Sequence, residues 1–203
     1  MSPLTLYADQ SFASPYAMSV YVTLLEKKLP FTLATIDLDH GAHLAAPYRD
    51  LGLTGRVPTL VHGEFVLAES SAIIEYLDEQ FPDIKVLPQD LQQRARAREV
   101  QAWIRSDLMP IRSERHTGGI FFERIATPLS EAGQACAERL FRIAERLIDG
   151  PNLFGKWCIA DTDLALMLNR LVINGDAVPR KLKDYASAQW QRDSVQQWMR
   201  QPR

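Results

Sequence analysis

The fold of this chain is decided by one segment, Val57-Pro58-Thr59-Leu60-Val61-His62-Gly63-Glu64-Phe65-Val66-Leu67-Ala68-Glu69-Ser70-Ser71-Ala72-Ile73-Ile74. Its first five residues are mostly apolar or β-branched, His62-Gly63-Glu64 has the composition of a turn, and residues 65–67 are apolar again. This pattern predicts a β-hairpin. Pro58 stands at the start of the first strand, where a missing N–H is tolerated, and the peptide bond before it is a candidate for the cis form.

The second half of the same segment predicts the start of a helix. Glu69-Ser70-Ser71 precedes apolar residues that recur at helical spacing, namely Ile73, Ile74, Leu77 and Phe81. Serine is a favoured residue at a helix N-terminus. A strand edge beside a helix N-terminus is a natural place to bind a ligand carboxylate. A hairpin followed by a capped helix, with no ligand, fits either half of the segment alone.

The residues before this segment predict a strand–helix–strand unit. A first strand is expected at residues 4–7, a helix at 16–28 and a second strand at 31–36. This spacing is typical of a βαβ unit, in which the two strands pair in parallel. With a short irregular helix at 40–50, the order becomes β-α-β-α-β-β-α. We therefore predict a compact α/β domain over residues 1–82.

The remainder of the chain has a helical pattern only. A connector bracketed by prolines, residues 83–90, separates the two patterns. Pro110 closes or kinks the first helix, and residues 112–127, with two adjacent glycines, are left without an assignment. The sequence predicts an all-helical domain over residues 91–203, with helices near 91–108, 129–148, 158–172, 180–185 and 187–200.

Composition narrows the class of protein. The chain has 203 residues, of which 46% are hydrophobic and 24% charged, as expected of a globular protein with a sizeable core. A net charge of −2 gives no electrostatic reason to expect binding to nucleic acid or to an anionic membrane. Neither a signal peptide nor a membrane span is recognisable, so a cytoplasmic location is expected. Two cysteines, Cys136 and Cys158, argue against a disulfide framework or a cysteine zinc site, and no metal is expected.

Three motifs together resemble the glutathione S-transferase family along the whole chain. Val57-Pro58-Thr59-Leu60 resembles its cis-proline segment, and Glu69-Ser70-Ser71-Ala72-Ile73 resembles its Glu-Ser-x-Ala-Ile signature. Residues 154–161 resemble the segment that begins the central helix of its C-terminal domain. The resemblance implies a thioredoxin-like N-terminal domain followed by an all-helical one. It is closest to the bacterial YfcF-type glutathione transferases, through Ser14-Pro15-Tyr16, Arg94-Ala95-Arg96-Ala97-Arg98 and Ser106-Asp107-Leu108-Met109-Pro110.

The resemblance implies glutathione as the co-substrate and assigns roles to several residues. Glutathione carries an amine, two carboxylates and a thiol. Glu69 is expected to meet the ammonium group, and Ser70, at a helix start, the γ-glutamyl carboxylate. Val57 offers its backbone N–H and C=O to the cysteinyl part, as a strand edge pairs with a peptide. Alternatively, Ser70 is only a helix cap and Glu69 only a solvated charge.

Ser14 is the residue expected to act on the glutathione thiol. A hydroxyl that donates a hydrogen bond to sulfur favours the thiolate, as does a nearby helix N-terminus. Ser14-Pro15-Tyr16-Ala17 lies where thioredoxin-like redox proteins carry Cys-Pro-Tyr-Cys, and the absence of both thiols favours a serine-type transferase. The alternative is Ser11, which falls where cysteine stands in the bacterial beta-like members.

The glycine carboxylate of glutathione requires a cation. His43 and Arg56 match in spacing the His and Lys that bind it in theta-like members, although each is also explained as a surface residue. The chain departs from the family pattern at two places. Gly52-Leu53 replaces the usual Asn-Pro, and Cys158 replaces the Ser or Thr that caps the central C-terminal helix. We expect half of that capping box to be lost.

The resemblance therefore implies a glutathione transferase that conjugates glutathione to a small electrophile and also reduces organic hydroperoxides, with a role in detoxification and oxidative stress. The resemblance also implies a homodimer, with the helix at residues 69–81 against the C-terminal domain of the partner. The alternatives are a non-catalytic binding protein of the starvation-response kind and a glutathione-dependent isomerase or dehalogenase. Candidate walls of the electrophile pocket, each also explained as core, are Trp103, Met109, Ile111, Phe121 and Phe122.

Overall fold

A computed structural model describes residues 2–203 of the chain. The described residues form two compact units. The first extends to Val86 and also includes Ser194–Arg203, and the second comprises Leu87–Asp193. The domain limits expected from the sequence stay a prediction. The contacts add that the last ten residues pack with the first unit.

The first unit contains a four-stranded mixed sheet. Its strands are β1 (Leu4–Asp9), β2 (Thr32–Ile36), β3 (Thr59–His62) and β4 (Phe65–Ala68), in the order β2-β1-β3-β4. The central strand β1 pairs in parallel with β2 and antiparallel with β3, which in turn pairs antiparallel with β4. The predicted βαβ unit and hairpin are both confirmed.

Two helices and one short turn accompany the sheet in the part of this unit that ends at Val86. Helix α1 (Pro15–Glu26) connects β1 to β2, a 3₁₀ turn covers Ala42–Leu44, and helix α2 (Ser70–Gln80) follows β4. The prediction that α2 begins at the serines is confirmed. The prediction that Pro58 is the first residue of the strand is wrong by one residue, because β3 starts at Thr59, after the cis peptide bond between Val57 and Pro58.

A buried ion pair joins the two helices of this unit. The Nζ atom of Lys27 lies 3.4 Å from Oδ1 of Asp78, and both side chains are almost fully buried. Lys27 also donates to the carbonyl of Phe81 at 2.8 Å, and Asp78 accepts from the N–H of Val86 at the same distance. Burial lowers the pKa of Lys27, and the Asp78 carboxylate opposes this shift. The pair links the C-terminal end of α1 to α2.

The second unit is helical. A left-handed residue, Leu108 with φ 62°, separates its first two helices, so Pro110 lies in the first turn of a new helix. The segment without an assignment contains a further short helix. No helix within residues 2–203 is long and apolar enough to cross a membrane. The helices are α3 (Leu91–Ser106), α4 (Met109–Glu114), α5 (Gly118–Phe121), α6 (Glu131–Leu147), α7 (Ile159–Val172) and α8 (Arg180–Trp190).

Helix α7 lies at the centre of this unit, with most of its residues buried. At its N-terminus, Asp161 accepts a hydrogen bond from the N–H of Cys158 at 2.9 Å. The Cys158 sulfur meets the N–H of Asp161 in return, so both contacts of a capping box are present. The expected loss of half of this box is wrong. Sulfur occupies the place usually taken by a hydroxyl oxygen.

The last helix, α9 (Asp193–Met199), carries the chain back to the first unit. Trp198 is fully buried, and its ring centroid lies 5.3 Å from that of Phe12 and 5.2 Å from that of Tyr21. Gln201 donates to the Tyr21 hydroxyl at 3.1 Å. The final segment therefore packs on α1 and on the loop that precedes it.

Candidate functional site

The register of the sheet brings three loop segments to one edge. Strand β1 ends at Asp9, while β3 runs antiparallel to it and starts at Thr59, opposite Tyr7. Strand β4 ends at Ala68, which is paired with the same Thr59. The chain therefore leaves β1, enters β3 and leaves β4 at the same edge. The loop with Ser14, the segment with Val57 and the start of α2 all adjoin this edge.

Ser14 is the N-cap residue of α1, with extended backbone and Pro15 at the first helical position. Its hydroxyl oxygen accepts a hydrogen bond from the N–H of Ala17 at 3.2 Å. Because the hydroxyl acts as the acceptor in this contact, its own proton is available for donation to another group. The side chain is half-buried at the start of a twelve-residue helix, whose N-terminus favours negative charge nearby.

Ser11 is placed differently from Ser14. Its hydroxyl donates to Oδ2 of Asp9 at 2.9 Å, so its proton is already engaged by a carboxylate. A serine in that state has no proton left for a thiolate. The geometry therefore distinguishes the two serines between which the sequence left a choice.

Val57 lies immediately before the cis peptide bond at Pro58. The pairing of β3 with β1 begins only at Thr59, two residues further on. Within the described residues, the N–H and C=O of Val57 form no backbone hydrogen bond. These two groups have the free pairing capacity that an extended peptide needs to bind as an additional strand.

Glu69 and Ser70 lie at the junction of β4 and α2. Glu69 has φ 71°, an uncommon conformation for a residue other than glycine, and its side chain is exposed. Its carbonyl accepts the first helical hydrogen bond, from Ile73 at 2.9 Å. Ser70 is the first helical residue and is 5% exposed. Its N–H is one of the amides at a helix start that have no partner within the helix.

Arg56 has a fixed backbone and an exposed side chain. Its carbonyl oxygen accepts hydrogen bonds from the hydroxyls of Tyr48, at 2.9 Å, and Thr59, at 2.8 Å. The Tyr48 phenol is a donor at neutral pH, and burial raises its pKa still further above that range. The guanidinium is thus carried by an anchored residue next to Val57.

His43 lies in the 3₁₀ turn, with its Nδ1 atom buried and without a hydrogen-bond partner. This turn packs against the residue before Arg56. A Cβ atom at Gly55 would lie 3.4 Å from the His43 carbonyl oxygen, and Gly55 has a φ of 59° that favours glycine. The structure thus brings the His43 turn close to the backbone of Arg56.

Sequence reasoning missed two residues of this region. Asp9, at the end of β1, is 3% exposed and accepts the hydrogen bond from Ser11. Tyr48, which anchors Arg56, is 6% exposed. A carboxylate at the end of an apolar strand was a signal available in the sequence, because a buried charge requires hydrogen-bonding partners. Tyr48 offered no comparable signal.

The candidate wall residues of the second substrate's pocket separate into two groups within the second unit. Ile111 and Phe121 are buried, and Trp103 packs against the core of that unit. Met109 and Phe122 are 53% and 57% exposed. These two residues expose the most apolar surface, while Trp103 is partly buried and lines a cavity together with Val100 and Leu147. Residues 2–203 contain no group of three or more His, Cys, Asp or Glu side chains that could hold a metal ion.

A mixed βαβ-ββα domain followed by an all-helical segment defines the thioredoxin-like class with a helical extension. Two family models match this arrangement. The model for the glutathione S-transferase N-terminal domain matches residues 13–80, and that for the glutathione S-transferase C-terminal domain matches residues 90–201. The chain belongs to the glutathione S-transferase family.

Individual relatives agree with this assignment. A glutathione transferase homologue from Burkholderia gl BGR1, solved with bound glutathione, is 48% identical, with a TM-score of 0.82 over 98% of this chain and 97% of its own. Glutathione S-transferase 1 of Dianthus caryophyllus is 41% identical over 49% of this chain and 45% of its own length. The matches to such curated relatives thus span less than half of their length. A theta class enzyme of Xanthomonas axonopodis, 23% identical with a TM-score of 0.78, shares the fold.

Proposed function

We propose that this protein is a glutathione transferase in which Ser14 stabilises the thiolate of bound glutathione. The observation that carries the proposal is the hydrogen bonding of Ser14, whose oxygen accepts from Ala17 and whose proton stays available. The Burkholderia homologue, 48% identical over nearly the whole chain, was solved with glutathione. Its similarity supports the tripeptide as the ligand of this chain.

The tripeptide is proposed to bind along the sheet edge. Val57 pairs its free N–H and C=O with the cysteinyl backbone. Ser70 binds the γ-glutamyl carboxylate through its N–H and hydroxyl at the start of α2, where the helix dipole favours an anion. The exposed carboxylate of Glu69 meets the ammonium group. Arg56 binds the glycine carboxylate, and His43 assists from the adjacent turn.

The chemical step requires the thiol to lose its proton. A free thiol has a pKa near ~8.5, so a decrease of about 2 units makes the thiolate dominant at neutral pH. The Ser14 hydroxyl favours the anion by donating to it, and the thiol proton passes to solvent. The sulfur then forms a bond to the electrophilic carbon, and the leaving group departs with the electron pair of the broken bond. Ser14 forms no covalent bond.

The same thiolate is proposed to reduce organic hydroperoxides. Sulfur attacks one peroxide oxygen, the O–O bond breaks, and the departing alkoxide takes a proton from solvent to give an alcohol. The resulting glutathione sulfenic acid reacts with a second glutathione, giving glutathione disulfide and water. This activity needs no group beyond those already assigned.

The proposal is tested by comparing Ser14→Ala with Ser11→Ala, using glutathione and an aryl halide. Loss of one hydrogen bond to a charged sulfur is expected to lower kcat/KM about 10–100-fold in Ser14→Ala. Ser11→Ala is expected to stay within about threefold of the wild type, because the Ser11 proton does not reach sulfur and the hydrogen bonds from Ala13 and Ser14 to Asp9 remain. Equal activities for Ser14→Ala and the wild type, with an unchanged thiol pKa, would show the mechanism to be wrong.

Two other activities on the same fold are separated by simple measurements. A non-catalytic binding protein has no need of the tripeptide pocket and would show no heat of glutathione binding in calorimetry. An isomerase or dehalogenase would turn over its own substrates faster than aryl halides or hydroperoxides.

A homodimer and a cytoplasmic location stay predictions. Light scattering after size-exclusion chromatography tests the homodimer.

A further inference from the structure

We propose that Asp9 is a positioning residue for the reaction, holding the loop that presents the Ser14 hydroxyl to the glutathione sulfur. This inference rests on the proposed function. The Asp9 side chain accepts three hydrogen bonds from one loop: from the Ser11 hydroxyl at 2.9 Å, the Ala13 N–H at 2.5 Å and the Ser14 N–H at 3.1 Å. One carboxylate thus engages both ends of residues 11–14.

The position of Asp9 makes these contacts rigid. Asp9 is the last residue of β1, is paired with Ile36 of β2, and is 3% exposed. Its carbonyl also accepts from the N–H of Phe12 at 3.0 Å. A buried carboxylate with three donors has little freedom to move, because each lost hydrogen bond would leave a desolvated polar group. The sheet therefore holds the loop through one residue, Asp9, by its carboxylate and its carbonyl.

The other side of the loop is held by apolar packing and one cation. Phe12 has φ 49°, an unfavourable region for an aromatic residue, and its buried ring packs edge-on against Trp198. Arg203 donates to the Phe12 carbonyl at 3.5 Å, and its guanidinium interacts electrostatically with the Asp9 carboxylate. The strained loop conformation is thus maintained from both sides. Among the residues that hold the loop, Asp9 is the one that forms a hydrogen bond with Ser14 itself.

Two possible effects of Asp9 on the thiolate have opposite signs. A negative charge close to the sulfur disfavours the anion, so removing that charge alone would lower the pKa of the bound thiol. If Asp9 acts by positioning, its loss lets the Ser14 hydroxyl move away from the sulfur, and the pKa of the bound thiol rises. The Asp9→Asn variant, which keeps the shape of the side chain, separates the two effects by sign.

The experiment measures the pKa of the thiol of glutathione bound to the purified protein, from the ultraviolet absorbance of the thiolate during a pH titration. The proteins compared are the wild type, Asp9→Asn, Ser14→Ala and the control Asp78→Asn. Asp78 is also buried and also accepts a backbone N–H, but its partners, Lys27 and Val86, lie away from the Ser14 loop in sequence. Calorimetry below the thiol pKa gives the glutathione Kd for each protein.

We expect Asp9→Asn to raise the pKa of the bound thiol by about one unit, roughly half the effect of Ser14→Ala. Its Kd at low pH should stay within about twofold of the wild-type value, because Val57, Glu69 and Ser70 are untouched. Asp78→Asn should lower Tm without moving the thiol pKa.

An unchanged or lowered thiol pKa in folded Asp9→Asn, together with a raised thiol pKa in Ser14→Ala, overturns only the role proposed for Asp9. A wild type that does not bind glutathione, or a Ser14→Ala variant with a normal thiol pKa, overturns the proposed function and this inference with it.

If Asp9→Asn does not fold, a measurement on the wild type tests whether the Asp9 carboxylate holds the loop. The amides of Ala13 and Ser14 lie before α1, outside any helix, and bond only to Asp9 among the described residues. Hydrogen exchange at these two amides should be slowed at least about tenfold relative to an unstructured peptide. Exchange at the unstructured rate would show that the carboxylate does not hold the loop and would overturn the inference.

Discussion

The hydroxyl oxygen of Ser14 accepts a hydrogen bond from the N–H of Ala17 at 3.2 Å. The same atom that caps α1 is therefore also the atom proposed to act on sulfur. A cap needs only an acceptor, whereas thiolate stabilisation needs a donor. The two roles use different parts of one hydroxyl group and can be separated by substitution.

Ser14→Ala and Ser14→Asp are predicted to differ in stability but not in activity. Alanine removes the cap and should lower the free energy of unfolding by about 1 kcal/mol, whereas aspartate is as good a cap as serine. Both lack the hydroxyl proton, and aspartate also repels the thiolate, so both should lose most transferase activity. Urea unfolding and steady-state kinetics are measured on the same preparations.

Equal unfolding midpoints for Ser14→Ala and the wild type would show that the contact with Ala17 contributes nothing to stability. Substantial activity in Ser14→Asp would contradict the need for a donor. Ser14→Thr is the matched control, since threonine keeps both the acceptor and the proton.

How much of the site could be predicted depends on the range of the interactions that form it. Ser70 was predictable because a helix start is a local pattern of polar and apolar residues. The pairing of Thr59 with both Tyr7 and Ala68 follows from the hairpin and the βαβ unit. The free backbone groups of Val57 were expected from its place beside Pro58, whereas β3 itself starts one residue later than predicted, at Thr59.

The parts that escaped prediction depend on contacts between distant residues. Trp198 packs on Phe12 across more than 180 positions of sequence, and no local periodicity encodes that contact. The Lys27–Asp78 pair is likewise hidden, because an isolated lysine and aspartate are usually exposed. The hydrogen bond from Ser11 to Asp9 was also missed, although the two residues are close in sequence, and which of Ser11 and Ser14 contacts the thiol stays a prediction.

Arg56→Ala is predicted to weaken glutathione binding without affecting stability. The side chain is exposed, so its loss should leave Tm unchanged. Loss of a charge-assisted contact with the glycine carboxylate should raise the Kd for glutathione about tenfold. Arg56→Lys should recover part of the affinity, because lysine keeps the charge but not the bidentate geometry. Calorimetry at two salt concentrations gives these values.

The ligand γ-glutamylcysteine, which lacks the glycine, provides the control. Wild-type and Arg56→Ala proteins should bind it with equal affinity, because the glycine carboxylate that Arg56 is proposed to contact is absent from this ligand. A tenfold difference that persists with this ligand would place Arg56 elsewhere in the site. Arg180→Ala, at another exposed arginine, controls for the general effect of charge.

The buried Tyr185–Asp161 pair predicts a dependence of stability on alkaline pH. The Tyr185 hydroxyl donates to Asp161 at 2.7 Å, and burial raises the pKa of this phenol well above its usual range. In the unfolded chain the phenol ionises near pH ~10. Its contribution to stability is therefore complete below pH ~10 and is lost as the pH rises above that value, by up to about 1.4 kcal/mol per pH unit.

Tyr185→Phe should remove this part of the alkaline loss, so its free energy of unfolding should fall less steeply between about pH 10 and 11.5. At pH 7 the variant should be less stable by about 1.5–3 kcal/mol, because a hydrogen bond to a buried carboxylate is gone. Urea unfolding at a series of pH values measures both quantities. Parallel curves for the two proteins would contradict the assignment of the alkaline loss to Tyr185. Tyr21 and Tyr48, whose pKa values burial also raises, contribute equally to both curves.

The protein's own cysteines are predicted to play no part in catalysis. Cys136 and Cys158 are 6% and 2% exposed. Burial, together with the negative charge of Asp161, raises the pKa of Cys158 far above its usual value, so the reactive thiolate is scarce. Iodoacetamide should modify neither residue in the native protein, and both after unfolding in urea. The attacking sulfur is then that of glutathione.

The double variant Cys136→Ala, Cys158→Ser tests this directly. Serine at position 158 keeps a capping group for α7, so the variant should stay folded, with Asp161 still accepting from the N–H of residue 158. Its turnover of an aryl halide and of an organic hydroperoxide should remain within about twofold of the wild type, because glutathione supplies the sulfur that reacts. A tenfold or larger loss in a variant with an unchanged Tm would assign a catalytic role to one of the two thiols, and the single variants would identify which one.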